Sequence, residues 1–209
     1  IAQDPTNDRR LCCGRTYLSA GLVDQARAEM TRTVEALSPF IARGLPILGL
    51  EPSCLLTLRD ELLSVLPGAA SEALAKNAML LEEYLAAEHA ASRLELDLGT
   101  AGEVLLHGHC HQKAHQTMST MTTTLALLPN VEATTVQSSC CGMAGAFGYG
   151  AETYETSQAM AEAALLPAVR AAASRTTLVA NGTSCRQQIK HGSGREAVHI
   201  VRVLQKALK

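Results

Sequence analysis

The sequence is poor in aromatic residues and has no strong excess of either charge. Its 209 residues include no tryptophan and only two phenylalanines, and 18 basic residues face 20 acidic ones, for a net charge of −2. This balance gives no reason to expect a nucleic-acid partner or binding to an anionic membrane surface. The apolar runs are of strand length, far below the roughly 20 residues of a membrane-spanning helix, so no transmembrane segment is expected.

The sequence also lacks the short motifs of several large enzyme classes. It contains no GxSxG nucleophile elbow, no P-loop, no HExxH zinc motif and no glycine fingerprint opening a strand–helix unit. A glycine-rich stretch at 142–150 directly follows two cysteines, which explain it better than a phosphate does. The cysteines are therefore the residues that carry the chemistry.

Seven cysteines are an odd number, and a chain of this size needs no disulfide framework to fold. The polar residues 1–10 do not resemble a signal peptide. We therefore expect a reducing, cytoplasmic location, with peripheral attachment at the inner face of the membrane as an alternative, and metal or redox roles for grouped cysteines. Because the chain begins at Ile1 and reaches a cysteine motif almost at once, we also expect it to belong to a longer protein.

Short apolar runs alternate with segments of helical periodicity. The runs predict five buried strands, at 46–50, 103–107, 131–137, 177–180 and 197–201. The periodic segments predict helices at 20–44, 53–66, 71–96 (broken once), 111–128 and 153–173, with shorter ones after Cys185 and at the C-terminus. Alternation of this kind predicts an α/β fold built on mainly parallel sheets.

An internal repeat organises the cysteines. CysCysGly occurs at 12–14 and again at 140–142, and each copy is followed by a small-residue loop, a helix, a strand and a turn with a single cysteine, Cys54 or Cys185. The doublets lie 128 positions apart and the single cysteines 131 apart, which indicates duplication. We predict a partial first repeat at 1–70, a helical connection at 71–100 and a second repeat at 101–209.

The second repeat has one element more than the first. The strand at 103–107 runs into GlyHisCysHisGlnLys, which places a further cysteine at the strand's end, whereas the matching part of the first repeat would lie before Ile1. The seven cysteines therefore divide into a set of four (Cys110, Cys140, Cys141 and Cys185) and a set of three (Cys12, Cys13 and Cys54).

Each cysteine of the larger set follows the carboxyl end of a predicted strand, and such ends meet at one edge of a parallel sheet. Four convergent thiolates suit a four-iron cluster. A zinc site that adds one of His107, His109, His111 or His115 and a catalytic dithiol remain alternatives. His111 is a candidate ligand, while packing or solvent contact is the preferred interpretation of His107 and His109. Three basic residues close to site cysteines could offset cluster charge: Lys113, Arg15 and Arg186.

These motifs resemble a known family. CysCysGlyMetAlaGlyAlaPheGlyTyr, GlyHisCysHisGlnLys and AsnGlyThrSerCysArgGlnGlnIle resemble the C-terminal cysteine-rich (CCG) repeats of FAD-linked oxidases of the D-lactate or D-2-hydroxyglutarate dehydrogenase type. Related repeats occur in the iron–sulfur subunits of glycolate oxidase and anaerobic glycerol-3-phosphate dehydrogenase, and in heterodisulfide reductase. The resemblance implies two related Rossmann-like repeats, the first truncated at its N-terminus.

The resemblance also implies a function. It makes the chain an electron-transfer module that holds a 4Fe–4S cluster and passes electrons from FAD, bound elsewhere in the parent protein, toward a quinone or other carrier. The implied partners are a flavin domain and a ferredoxin-like segment, and the chain alone should not oxidise substrate. The alternatives are a thiol–disulfide reductase module of the heterodisulfide reductase type and a non-catalytic zinc or docking domain.

One departure from the heterodisulfide reductase pattern bears on the cluster. Repeats of that protein close with CxxC, whereas Glu51 and Gly182 stand at the earlier position here. With one thiolate fewer at each site, an ordinary cubane cluster held by four cysteines, or by three and another ligand, is expected rather than a noncubane one. Cys12, Cys13 and Cys54 match the other cysteine set of the family and are candidate cofactor-binding residues, although the first repeat, which lacks its upstream cysteine here, is not expected to hold a stable cluster.

Overall fold

The computed structural model describes residues 9–209, so the predicted polar start of the chain lies largely outside the described residues. The chain divides into two compact units, one ending at Tyr84 and one beginning at Leu85. None of the described helices is long and apolar enough to cross a bilayer. The predicted boundaries at residues 70 and 100 stay predictions.

The first unit is a two-stranded parallel sheet surrounded by helices. In chain order it contains α1 (Arg15–Ser19), α2 (Val23–Ile41), β1 (Ile47–Gly49), α3 (Pro52–Thr57), α4 (Glu61–Val65), α5 (Ala69–Asn77), β2 (Ala78–Leu80) and the start of α6 (Leu81–Ala90). Strand β1 pairs with β2, with Ile47 opposite Ala78. Met30, Val34 and Leu37 recur on one face of α2 and pack into the core with leucines of α3, α4 and α5.

Two predicted helices of this unit are interrupted. The segment 53–66 forms α3 and α4, and the segment 71–96 contains β2 between α5 and α6. The residues of β2 (AlaMetLeu) are good helix formers, so their extended backbone comes from pairing with β1 rather than from local propensity.

The second unit is a four-stranded sheet in which every pairing is parallel. It contains β3 (Glu103–His107), α7 (Cys110–Ala114), α8 (Met118–Leu125), β4 (Glu132–Thr135), a 3₁₀ turn at Phe147–Tyr149, α9 (Tyr154–Glu162), α10 (Leu165–Ala171), β5 (Thr177–Ala180), α11 (Thr183–Ser193), β6 (Ala197–Val198) and α12 (Ile200–Ala207). The strand order is β4-β3-β5-β6. The predicted α/β class with parallel sheets is confirmed.

Helices cover both faces of this sheet. Val104, Leu106 and Val179 pack on one face against α8 and α12, and α12 buries its residues at 200, 203, 204 and 207, one amphipathic stripe. Leu105 and Leu178 face the other side, where α10 and α11 lie. Because side chains alternate along a strand, His107 belongs to the same face as Leu105.

The two units share an order of elements. In each, a CysCysGly loop leads through helical segments to a strand (β1 or β5), then to a cysteine-bearing helix (α3 or α11), a parallel neighbouring strand (β2 or β6) and a further helix (α6 or α12). This shared order is what the predicted duplication requires. Duplication itself stays a prediction.

Candidate metal centre

The carboxyl ends of three adjacent strands bring four cysteines together. Cys110 opens α7 just after β3, Cys140 and Cys141 lie in the loop that follows β4, and Cys185 lies in the first turn of α11 after β5. These three strands are neighbours in the sheet and run in the same direction. Their following loops therefore converge at one edge, as expected for parallel sheets.

The four cysteine sulfurs form one hydrogen-bonded chain. Cys140 interacts through hydrogen bonds with Cys110 and Cys141, and Cys141 interacts in the same way with Cys185. Because a thiol has a single proton, Cys141 donates to only one of its two neighbours at a time. These bonds, with burial, raise the pKa of Cys110 and of Cys141, while the same bonds lower the pKa of Cys140 to about 2 and hold the pKa of Cys185 well below its ordinary value. The arrangement therefore favours the thiolate form, which is the form that binds metal, at Cys140 and Cys185.

A buried histidine joins the two deepest cysteines. One ligand atom each of His107, Cys141 and Cys185 lie within 4.8 Å of one another, and no other group of three or more such residues is this compact among residues 9–209. All three are at most 4% exposed. Besides the bond from Cys141, His107 also lowers the pKa of Cys185. The group is compatible with metal binding.

The loop that carries the cysteine doublet depends on a glycine. The Gly142 N–H donates to Cys140 Sγ at 3.3 Å, and Gly142 has a φ of 85°. A Cβ at this position would lie 2.2 Å from the carbonyl oxygen of Ser157, so no larger residue fits without movement. Gln188 Nε2 donates to the same Ser157 carbonyl oxygen at 3.2 Å. Because Gln188 and Cys185 both lie on α11, this bond connects the residue that packs against the Gly142 loop to the helix that carries Cys185.

His109 fills the space beside Gly182, the residue three positions before Cys185. A Cβ on Gly182 would lie 2.3 Å from His109 Cδ2 and 3.2 Å from Cys185 Sγ. The His109 ring is held where it is because its Nδ1 accepts from the His111 N–H at 3.2 Å, while Gln112 Oε1 accepts from the His109 N–H and completes a capping box. The place of the missing CxxC thiol is thus next to an imidazole.

Lys113 fixes the loop that leads into the doublet. Its Nζ donates to the carbonyl oxygen of Ser138, to Ser138 Oγ at 3.3 Å and to the carbonyl oxygen of Ser139 at 3.1 Å. Burial lowers the pKa of Lys113, and the four nearby cysteine sulfurs oppose that fall. A positive charge therefore stands close to the four sulfurs, as the sequence predicts for this residue.

The other residues predicted to support the site have different positions. Arg186 donates to the carbonyl oxygens of Ala180 and Asn181 and so holds the turn between β5 and α11. His111 lies on α7 with its ring 5.1 Å from the His109 ring, centroid to centroid. The compact group contains His107 instead, and alternation along β3 is the sequence signal that could have found it. A ligand role for His111 stays a prediction.

The three cysteines of the first unit are less enclosed. The Cys13 thiol donates to Cys54; this bond, with burial, raises the pKa of Cys13, and it lowers the pKa of Cys54, which is exposed. The Gly14 N–H donates to Cys12 Sγ at 3.4 Å, as in the other doublet loop. The three cysteines line a cavity of about 420 Å³ together with Glu51 and several apolar residues.

Comparison with known proteins agrees with these features. Residues 104–190 match the cysteine-rich domain family CCG. Over 94% of its length the chain is 27% identical to a protein of Escherichia coli (strain K12) that is one component of its anaerobic glycerol-3-phosphate dehydrogenase, and it spans 49% of that relative. It is 26% identical to the D-2-hydroxyglutarate dehydrogenases of the same strain and of Pantoea ananatis (strain AJ13355), covering 94% and 91% of the chain but only 19% and 18% of those relatives. No solved structure matches the chain.

Proposed function

We propose, from the match of residues 104–190 to the cysteine-rich CCG family, that the chain is an iron–sulfur electron-transfer module of a larger flavin-linked dehydrogenase. The observation that carries the proposal is the convergence of Cys110, Cys140, Cys141 and Cys185 at one sheet edge, with their sulfurs in a single hydrogen-bonded chain. The resemblance predicted from the motifs is confirmed for residues 104–190, and the function built on it is our inference.

The donor set fits an iron–sulfur cluster. Four sulfurs from three loops match the four thiolate ligands that a 4Fe–4S cluster takes, and such a cluster supplies reversible one-electron transfer when bound. The hydrogen bonds that lower the pKa of Cys140 and Cys185 also raise the pKa of Cys110 and Cys141, so the cost of deprotonating all four ligands has to be offset by the bound iron. The backbone N–H of Gly142 and the ammonium of Lys113 offset negative charge at the sulfurs.

We assign the cluster to the second unit alone. The first unit offers three cysteines, one of them exposed, and among residues 9–209 these do not form a compact ligand group. Its fourth ligand would have to come from Glu51 or from outside the chain. The first set is therefore expected to hold no stable cluster by itself.

Our inference about the reaction of the parent protein is based on the similar proteins and not on the geometry of the cysteine site. Two of the similar proteins are D-2-hydroxyglutarate dehydrogenases and one is a component of an anaerobic glycerol-3-phosphate dehydrogenase. We propose that the parent oxidises a D-2-hydroxy acid at FAD in a flavin domain, and that electrons leave through a ferredoxin-like segment and this module toward a quinone or other carrier, on the cytoplasmic side. The chain by itself is expected to be inactive toward the substrate.

Iron and sulfide content of the anaerobically reconstituted chain tests the proposal. We expect about four irons and about four sulfides per chain and a broad visible absorption that dithionite bleaches. Cys141→Ser should lose most of the iron, while Cys13→Ser, the matched position of the first unit, should keep it.

Three results would contradict the proposal. Equal iron in Cys141→Ser and the unaltered chain would overturn the ligand assignment. Zinc bound without iron, sulfide or colour would favour the structural zinc domain. A colourless protein that reduces a small disulfide would favour the thiol–disulfide reductase.

A further inference from the structure

The two ring nitrogens of His107 have different surroundings. Nδ1 lies 3.0 Å from Ser138 Oγ, while Nε2 is buried and has no hydrogen-bond partner of any kind in the described part of the chain. A ring nitrogen lies within 4.8 Å of the sulfurs of Cys141 and Cys185. Since Nδ1 is in contact with the Ser138 hydroxyl, we take Nε2 to be the ring nitrogen that faces the sulfurs of Cys141 and Cys185. Leaving a buried imidazole nitrogen without a hydrogen bond destabilises the folded state, so a partner that is bound in the functional protein would explain this atom.

The contacts of Ser138 decide which ring nitrogen carries the proton. Lys113 Nζ can only donate, so Ser138 Oγ accepts from it at 3.3 Å. Between its two side-chain neighbours, the lysine and the histidine, the hydroxyl can give its own proton only to His107 Nδ1. A neutral imidazole that accepts at Nδ1 carries its proton at Nε2. If the relay runs in this direction, from Lys113 through Ser138 to His107, the ring presents an N–H to the sulfurs.

We propose that His107 is a hydrogen-bond donor to the cysteine centre, with Nε2–H directed at the sulfur of Cys185 and its tautomer set by Ser138 and Lys113. The inference rests on the proposed iron–sulfur function and deepens it. An N–H bond to a ligand sulfur stabilises the reduced, more negative state of a cluster more than the oxidised one. His107 therefore raises the reduction potential of the centre, and Ser138 does so through the ring.

A role as a metal ligand is the competing assignment for this ring. A ligating imidazole binds through a nitrogen lone pair and donates its other N–H to a carboxylate, a carbonyl or water. A ligating ring would instead donate from Nδ1 to the Ser138 hydroxyl, whereas in the proposed relay Nδ1 accepts from that hydroxyl. The relay leaves no lone pair at Nε2 for a metal.

Redox titration of the anaerobically reconstituted chain tests the donor role with three variants. His107→Leu removes the N–H, His107→Gln keeps a side-chain N–H, and Ser138→Ala removes the relay but keeps the ring. For His107→Leu we expect iron and sulfide contents like those of the unaltered chain and a reduction equilibrium about tenfold less favourable, which is about 59 mV for one electron. His107→Gln should recover part of this shift, and Ser138→Ala should move the potential in the same direction by less.

A histidine outside the site serves as the control. His191, whose Nε2 lies 2.8 Å from the Tyr154 hydroxyl, can be changed to leucine and should leave the potential unchanged. Circular dichroism shows whether each variant folds. If His107→Leu does not fold, the potential of Ser138→Ala still tests the donor role.

Three outcomes separate failure of this inference from failure of the proposed function. An unchanged potential in His107→Leu with full iron content overturns the donor role. A nitrogen coupling typical of direct coordination in the electron paramagnetic resonance of the unaltered chain, lost in His107→Leu together with iron, overturns it in favour of a ligand. An unaltered chain that takes up no iron overturns the proposed function itself, and the donor role with it.

Discussion

The two units use similar chain segments to different effect. In the second unit β5 lies between β3 and β6, so Val179 is fully buried, whereas β1 of the first unit has a single strand neighbour among the described residues, and Leu48, 131 positions earlier, is 42% exposed. Cys185 and Cys54 differ in the same way, the first buried and the second exposed. A strand flanked on both sides encloses the cysteine that follows it. The cysteine motif alone does not make an enclosed site.

Cysteine labelling sharpens this comparison most strongly. In the reduced, iron-free chain at pH 7, iodoacetamide should modify Cys54 well before Cys185, because a hydrogen bond from Cys13 lowers the pKa of this exposed thiol and keeps it ionised below the pH at which a free thiol ionises. Cys185 also has a lowered pKa, but it is buried, so iodoacetamide reaches it only when the surrounding structure opens locally. For an opening free energy of about 4 kcal/mol its labelling should be about 1,000-fold slower. Equal rates, measured by peptide mass spectrometry, would show that the second site is open.

The glycines of the two doublets should differ in how much they tolerate a side chain. Gly142→Ala places a Cβ 2.2 Å from the Ser157 carbonyl oxygen at a φ of 85°, and we expect the free energy of unfolding to fall by about 3 kcal/mol. In Gly14→Ala the new Cβ would lie 2.8 Å from the Ala26 carbonyl oxygen, and the free energy of unfolding should fall by about 2 kcal/mol. A Cβ added at Gly145 would have no neighbour within 4 Å, so Gly145→Ala should lower the free energy of unfolding by only about 1 kcal/mol, through backbone strain. Denaturant titration measures all three, and the reverse order would contradict the loop geometry.

Matched strand positions test the difference in enclosure. Val179→Ala should lower the free energy of unfolding by about 2 kcal/mol, because it removes buried methyl groups between the sheet and the helices α8 and α12. Leu48→Ala should change it by less than about 0.5 kcal/mol, as is usual for exposed positions. A loss at Leu48 as large as that at Val179 would mean that this edge of β1 is covered in solution.

The smallest effect concerns the residues that cap the two cysteine-bearing helices. Gly182→Ala should cost about 1–2 kcal/mol, because the new methyl group pushes against the His109 ring. Glu51→Ala should cost about 1 kcal/mol, because Glu51 Oε1 accepts from the Ser53 N–H and caps α3. The Gly182→Ala cost should shrink when His109→Ala is also present. An undiminished cost in the double variant would place the clash elsewhere.

Much of the site could be predicted because it depends on short-range patterns. Apolar runs marked β3, β4 and β5, and each was followed within a few residues by a cysteine, so the common sheet edge followed from parallel pairing. The strand β2 was missed because its residues suit a helix and only the pairing with β1 extends them. The position of His107 was also missed, because three histidines within five residues look equivalent until packing selects one.

The sequence by itself determined the α/β class and the match of residues 104–190 to the cysteine-rich family, and it predicted the grouping of the cysteines as four and three. All of these depend on periodicity and on motif spacing. Only the tertiary structure decided which cysteines are enclosed, that His109 stands beside Gly182, and that Lys113 and Ser138 reach His107. Those contacts join residues as far apart in the chain as His109 and Gly182, which are 73 positions from each other. Spacing along a sequence does not specify such contacts, since they depend on which side chains meet when separate elements pack.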